Sequence, residues 1–144
     1  MQLEDLVTRF VSGDLSREEW THAAHLVVGA WHVDQYGADE AMSRLRARIR
    51  ALNERLGSKN TATSGYHETI TWAYVQLIAH ARSEAGSDTS LAAFVVNLLG
   101  GPLGHREALL RFWSREVLMS EVARMTWTPP DICPLPRHPN SGDA

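Results

Sequence analysis

The sequence predicts an all-α fold: a single-domain bundle of five to seven helices with an extended proline-rich tail. Apolar residues recur at three- and four-residue spacing along most of the chain, and no segment shows convincing strand alternation. Five of the six prolines fall between Pro129 and Pro139, where they exclude helix and central strand. We therefore expect one helical domain over residues 1–136 and a flexible tail over residues 137–144.

Helix signals divide the N-terminal half into three segments. An apolar pattern in the first eleven residues predicts a short helix that Gly13 ends. Residues 16–19 have the pattern of a capping box and predict the start of a second, largely apolar helix, which continues to about Tyr36 and stops at Gly37. A third helix is predicted over residues 39–56. Its apolar seam is narrow, so we expect it at the surface.

Shorter helices are predicted in the C-terminal half. A polar loop over residues 57–65 supplies the expected cap, Thr63 or Ser64, of a fourth helix that ends near Gly86. A fifth helix is predicted over residues 91–99, and one or two shorter helices follow it. The second and fourth helices carry the broadest apolar faces, and we expect them to form the centre of the bundle.

Composition excludes several classes of protein. A hydrophobic content of 44% with 22% charged residues is typical of a soluble globular chain. The net charge of -3 gives no general attraction to nucleic acid or acidic lipid, and we expect a protein that is neither exported nor membrane-spanning. The single cysteine, Cys133, excludes zinc fingers and disulfide scaffolds. We expect a cytoplasmic protein without nucleic-acid or membrane partners, and its oligomeric state stays open.

Two histidine clusters are the main candidates for a functional site. His22 and His25 lie about 60° and 4.5 Å apart on the second helix, so both side chains can approach one ion. His67 and Glu68 lie at the start of the fourth helix. His67 shares the inward face of that helix, and the positive end of the helix dipole favours its neutral form. These two clusters are expected to meet across the central helix pair.

The residue types in these clusters predict a metal centre. Three neutral histidines with one open position and a nearby carboxylate form a known zinc pattern, and two histidines with a carboxylate suit Fe²⁺. We expect His22, His25 and His67 to bind a divalent Zn or Fe ion, with Glu68 as a fourth ligand or as the catalytic base. The predicted function is a metal-dependent enzyme that acts on a small molecule.

Two alternatives stay open. In the first, carbonyls and hydroxyls such as those of Thr21 or Tyr74 satisfy the histidines, and the protein is a non-catalytic ligand-binding or protein-interaction module with a buried His/Glu/Thr network. The second is metal-free acid–base chemistry. An open cavity beside Glu68 would favour an enzyme. Residues 67–71 lack the second histidine of the H-E-x-x-H motif, which disfavours zinc-dependent proteolysis.

The arginines at positions 44, 46, 48 and 50 form the most basic stretch of the chain. A two-residue step scatters them over opposite sides of a helix, and Glu40 and Glu54 are placed to pair with some of them. We expect a solvated surface here rather than a phosphate-binding one.

Three motifs resemble those of a family of small, all-helical bacterial proteins. They are W-T-H-x-x-H-L at Trp20–Leu26, G-Y-H-E-T-I-T at Gly65–Thr71, and an ending that extends from Ala123 to Pro136. The resemblance covers most of the chain, from about Phe10 onwards. It implies an all-helical fold and brings no activity, substrate or cofactor with it.

Overall fold

The computed structural model describes residues 2–137. The predicted all-helical class is confirmed, with six α-helices and no strand in that range. The predicted tail falls almost entirely on residues 138–144, which lie outside the described residues. The division into a domain at 1–136 and a tail stays a prediction. The helices are α1 (Leu3–Ser12), α2 (His22–Arg55), α3 (Glu68–Ala85), α4 (Leu91–Gly100), α5 (Arg115–Leu118) and α6 (Glu121–Met125), with 3-10 turns at Pro102–Gly104 and Ala108–Arg111.

α2 is a 34-residue helix with a kink at Gly37. Gly37 has φ 77° and ψ 169°, a conformation that residues with a Cβ rarely adopt. The sequence predicts a helix stop at this residue, and the two halves of α2 correspond to the predicted second and third helices. The first half carries most of the buried residues of α2 and forms the centre of the fold. No helix within residues 2–137 has the length and apolarity needed to cross a bilayer.

The predicted start of the second helix at Ser16 is wrong. The two capping-box bonds do form: Ser16 N–H donates to the Glu19 carboxylate (2.9 Å), and Glu19 N–H donates to Ser16 Oγ (3.3 Å). They close a separate turn, because Glu19 also pairs with Arg9 of α1. The hydrogen bond from the Arg9 side chain is the main reason why the pKa of Glu19 falls to about 2. α2 begins at His22, after Thr21 Oγ1 accepts the N–H of Ala24 (3.1 Å).

Two clusters of buried apolar side chains meet at α3. The larger cluster lies among α1, α2, α3 and α4 and includes Phe10, Val28 and Ile78. The smaller cluster packs on another face of α3 and consists of Ala73, Leu77, Leu109, Phe112, Trp113 and Leu118. α3 therefore joins the N-terminal helices to the short C-terminal elements.

Residues 126–137, which follow α6, contain no helix and lie against α3. Thr69 of α3 is fully buried, and its hydroxyl donates to the Thr126 carbonyl (2.9 Å) and accepts the N–H of Thr128 (3.0 Å). The indole N–H of Trp113 donates to the Thr128 carbonyl (2.9 Å). These bonds hold the segment over the smaller apolar cluster.

Candidate small-molecule site

A cavity of about 470 Å³ lies between both halves of α2, α3 and the chain from Arg106 to Met119. This size is within the usual range of small-molecule sites, about 300–1,000 Å³. Most of the lining is apolar, from residues such as Leu26, Ile70 and Leu109. Its polar lining consists of Thr21, His22, His25, Thr71 and Tyr74 together with the charged residues Arg106, Glu107 and Arg115, and we call this space the histidine cavity.

His25 presents one unused ring nitrogen to the histidine cavity. Its Nδ1–H donates to the Thr21 carbonyl (2.7 Å), which fixes the tautomer and leaves the lone pair on Nε2. The ring stacks on Trp20, with centroids 3.6 Å apart. The residue is accessible to solvent from the cavity, but the surrounding protein removes enough hydration to lower the pKa of His25 to about 4. His25 is therefore neutral at pH 7, with a free hydrogen-bond acceptor.

His22 is the second histidine with an unused ring nitrogen. Its Nε2–H donates to the Leu103 carbonyl (2.9 Å), so Nδ1 keeps its lone pair. The ring meets the Tyr74 ring edge-on, with centroids 5.7 Å apart. Burial raises the pKa of Tyr74 to about 12, and within residues 2–137 its hydroxyl makes no hydrogen bond. Tyr74 is therefore a protonated donor that lines the same cavity as the two histidine acceptors.

His67 uses both of its ring nitrogens. It is the N-cap of α3: Nδ1 accepts the N–H of Ile70 (3.1 Å), and Nε2–H donates to the Leu118 carbonyl (2.7 Å). The predicted cap at Thr63 or Ser64 is wrong, since the histidine side chain occupies that role itself. Burial lowers the pKa of His67, so the ring is neutral at pH 7, as expected.

Glu68 lies apart from the histidine cavity and is held by its neighbours. Arg46 donates to both carboxylate oxygens (3.0 and 2.7 Å), and the Tyr66 hydroxyl donates to Oε1 (2.7 Å). Burial opposes ionisation of this carboxyl, but the bonds from Arg46 and Tyr66 outweigh that cost and hold the pKa of Glu68 below its usual value. A carboxylate bound in this way is a poor proton acceptor, so the small cavity that Glu68 does border gives no support to an enzyme.

The structure brings together only part of the predicted metal set. His22 and His25 line the same cavity with free lone pairs, whereas His67 keeps none, and Glu68 is not in the lining. His25 and His67 both border a neighbouring cavity of about 440 Å³. Across residues 2–137, no three or more His, Cys, Asp or Glu side chains are arranged to hold a metal ion. The Zn or Fe centre stays a prediction.

The sequence reasoning missed two contributors to this region. Trp20 packs against the larger apolar cluster and also forms the platform beneath His25. Its position within the W-T-H-x-x-H-L motif is the only signal that could have indicated this role. Arg46, which binds Glu68, lies 22 positions away on another helix, and no local pattern indicates such a pair.

Comparison of the chain with protein-family models, with curated proteins and with solved structures gives no match in any of the three. The resemblance to small all-helical bacterial proteins therefore stays a prediction, and the proposals below depend on the geometry of the side chains.

Proposed function

We propose that the protein binds a small organic molecule in the histidine cavity, with His25 as the hydrogen-bond acceptor. One observation carries this proposal. Two histidines each have one ring nitrogen fixed by a backbone carbonyl and the other nitrogen free, and both line the same mainly apolar cavity. Few convergent polar groups in a largely apolar cavity are typical of small-molecule sites.

The uncharged polar groups favour one chemistry of ligand, since Arg115 and Glu107 of the lining pair with each other and Arg106 adds one positive charge. His25 Nε2 and His22 Nδ1 accept hydrogen bonds, and the Tyr74 hydroxyl donates one. A ligand with an apolar body and a hydroxyl or N–H group complements this arrangement. A histidine with a pKa of about 4 stays neutral at pH 7 and is a weak base, so binding is favoured over proton abstraction.

A matched pair of probes tests the acceptor role. 1-Naphthol and 1-methoxynaphthalene have the same apolar body, but only the first can donate a hydrogen bond. We expect wild-type protein to bind 1-naphthol about fivefold more tightly in calorimetric titrations, as one net hydrogen bond implies. The His25→Phe variant keeps a ring on Trp20 and should lose this preference, while the exposed-site control His105→Gln should keep it. Equal affinities in the wild type, or no binding of either probe, would count against the proposal.

The predicted metal-dependent enzyme is a second candidate, supported by the free lone pairs of His22 and His25 one helical turn apart. Elemental mass spectrometry after incubation with Zn²⁺ or Fe²⁺ tests it. Near-stoichiometric metal that is lost in a folded His22→Ala/His25→Ala variant would support this candidate. If the wild type binds no metal, the metal-dependent enzyme is excluded and ligand binding is the one remaining candidate. A cytoplasmic location without nucleic-acid partners is part of the proposal, supported by the net charge of -3 and the single cysteine.

A further inference from the structure

A second cavity, of about 180 Å³, opens beside Glu68 and is separate from the histidine cavity. We call it the arginine pocket. Three arginines line it, Arg46, Arg50 and Arg124, and Glu68 is the only carboxylate in the lining. Three positive charges and one negative charge leave a net charge of +2 around a small, partly enclosed space.

Glu68 neutralises only one of the three arginines. Its Oε1 accepts from Arg46 Nε and from the Tyr66 hydroxyl, and its Oε2 accepts from the second arm of Arg46. The carboxylate side chain is 19% exposed, so protein surrounds most of it. Arg46 is thus held rigidly at the pocket, and the charges of the other two arginines stay uncompensated.

Among the three arginines of the pocket, Arg50 has the most unused hydrogen-bonding capacity. Its neighbours at two-residue intervals are engaged: Arg44 pairs with Glu40, and Arg48 donates to His32. The Arg50 guanidinium lies over the Tyr66 ring, 5.7 Å from the centroid, and within the described part of the chain it forms no ion pair and donates no hydrogen bond. The predicted solvated surface therefore does not describe Arg50 fully, because its guanidinium borders a pocket.

Arg124 reaches the same pocket from the other side. It belongs to α6, and one of its terminal nitrogens donates to the Gly65 carbonyl (2.7 Å). This bond orients the guanidinium while its other donors stay available. The pocket thus combines two arginines of α2 and one of α6 with residues of the loop before α3 and of the start of α3.

We propose that the arginine pocket binds a phosphate-sized oxyanion, either inorganic phosphate or the phosphate group of a small ester. A phosphate group carries about −1.5 to −2 charges at pH 7, which matches the net charge of the lining. The planar guanidinium forks of Arg50 and Arg124 suit paired phosphate oxygens, and Arg46 supplies a third positive charge. The arginine pocket shares no lining residue with the histidine cavity, so phosphate binding does not require that the histidine cavity binds a ligand.

Titration of the wild-type protein with inorganic phosphate and with methyl phosphate tests the pocket, by calorimetry at low and constant ionic strength. Tighter binding of methyl phosphate identifies an ester as the preferred source, and tighter binding of inorganic phosphate identifies the free ion. We expect Arg50→Gln to weaken binding about tenfold, the loss of one charge-assisted contact. Arg50→Gln removes no hydrogen bond within residues 2–137, so its thermal unfolding should match the wild type.

Arg44→Gln is the matched control, since it makes the same charge change on the same helix outside the pocket. It should bind phosphate within about twofold of the wild type, because Arg44 does not line the pocket and can form no direct contact with the bound ion. Equal weakening by Arg44→Gln and Arg50→Gln would show attraction to overall charge and overturn the proposal. No saturable binding of either phosphate by the wild type would overturn it as well.

Discussion

Within residues 2–137, five histidines donate one ring N–H to a backbone carbonyl. In four of them, at positions 22, 25, 32 and 67, the other ring nitrogen decides what the residue does. In His32, which is fully buried, Nδ1–H donates to the Val28 carbonyl (2.8 Å) and Nε2 accepts from Arg48 (2.8 Å). An imidazolium cannot accept a hydrogen bond, so protonation of His32 would break the Arg48 contact. In His32 and His67 both ring nitrogens are hydrogen-bonded within the protein, while His22 and His25 each keep one acceptor nitrogen for a ligand.

Burial of His32 makes stability depend on pH. Loss of hydration is the main cause that lowers its pKa to about 4, with the charges of Arg48 and Arg44 adding to the effect. Between about pH 6.5 and pH 4, His32 is protonated in the unfolded chain but stays neutral in the folded protein. The free energy of unfolding therefore falls as pH falls through this window. A depression of this size corresponds to about 3 kcal/mol for His32.

Urea unfolding at several pH values between 7 and 4 checks this prediction. We expect the free energy of unfolding of His32→Gln to fall less steeply with decreasing pH than that of the wild type, because glutamine does not titrate. His105→Gln, a change of an exposed histidine, should leave the slope unchanged. Equal slopes for His32→Gln and the wild type would show that His32 is protonated normally in the folded protein.

At the scale of elements, the start of α3 depends on a single side chain. His67 caps the helix through Nδ1 and joins it to the end of α5 through Nε2. His67→Asn keeps a capping acceptor but is too short to reach Leu118, whereas His67→Ala removes both bonds. We expect His67→Ala to cost about 2 kcal/mol and His67→Asn about half of that, measured by urea unfolding. Equal costs would mean that the cap contributes nothing to stability.

The sequence predicts helix boundaries well where neighbouring residues determine them. It predicts them poorly where a side chain from a distant part of the sequence determines the local structure. Gly37 interrupts a long apolar pattern, so the kink in α2 follows from the sequence. The start of α2 does not, because Arg9 of another helix binds Glu19 and separates the capping-box turn from the helix. A distant partner also explains why the role predicted for Glu68 is not supported. Its residue type and its place in the first turn suggest a catalytic role, but Arg46 on α2 engages both of its oxygens.

At the scale of the whole molecule, α3 couples the two apolar clusters, and buried Thr69 fastens the chain beyond α6 to it. Thr69→Val keeps the shape of the side chain but leaves the Thr126 carbonyl and the Thr128 N–H without this partner. We expect a loss of about 2 kcal/mol in unfolding free energy, because buried polar groups left unpaired are costly. Amide hydrogen exchange at Thr128 should also become faster, while exchange in α1 changes less.

Thr71→Val is the control for this change. The Thr71 hydroxyl donates to the His67 carbonyl (2.8 Å) of its own helix, and that carbonyl also accepts the Thr71 N–H (3.1 Å). Its removal should therefore have a small effect on unfolding and none on exchange at Thr128. If Thr69→Val behaves like Thr71→Val, the segment beyond α6 does not depend on the Thr69 hydroxyl.

The kink at Gly37 also limits how long the molecule can be. A straight helix of 34 residues would extend about 51 Å, whereas a compact chain of 144 residues is roughly 40 Å across. Without the bend, one end of α2 would project beyond the body of the protein, together with the apolar residues that it carries. Those residues would then find partners only in another copy of the chain, as in a domain-swapped dimer. The backbone conformation of one glycine thus allows a single chain to complete its own core.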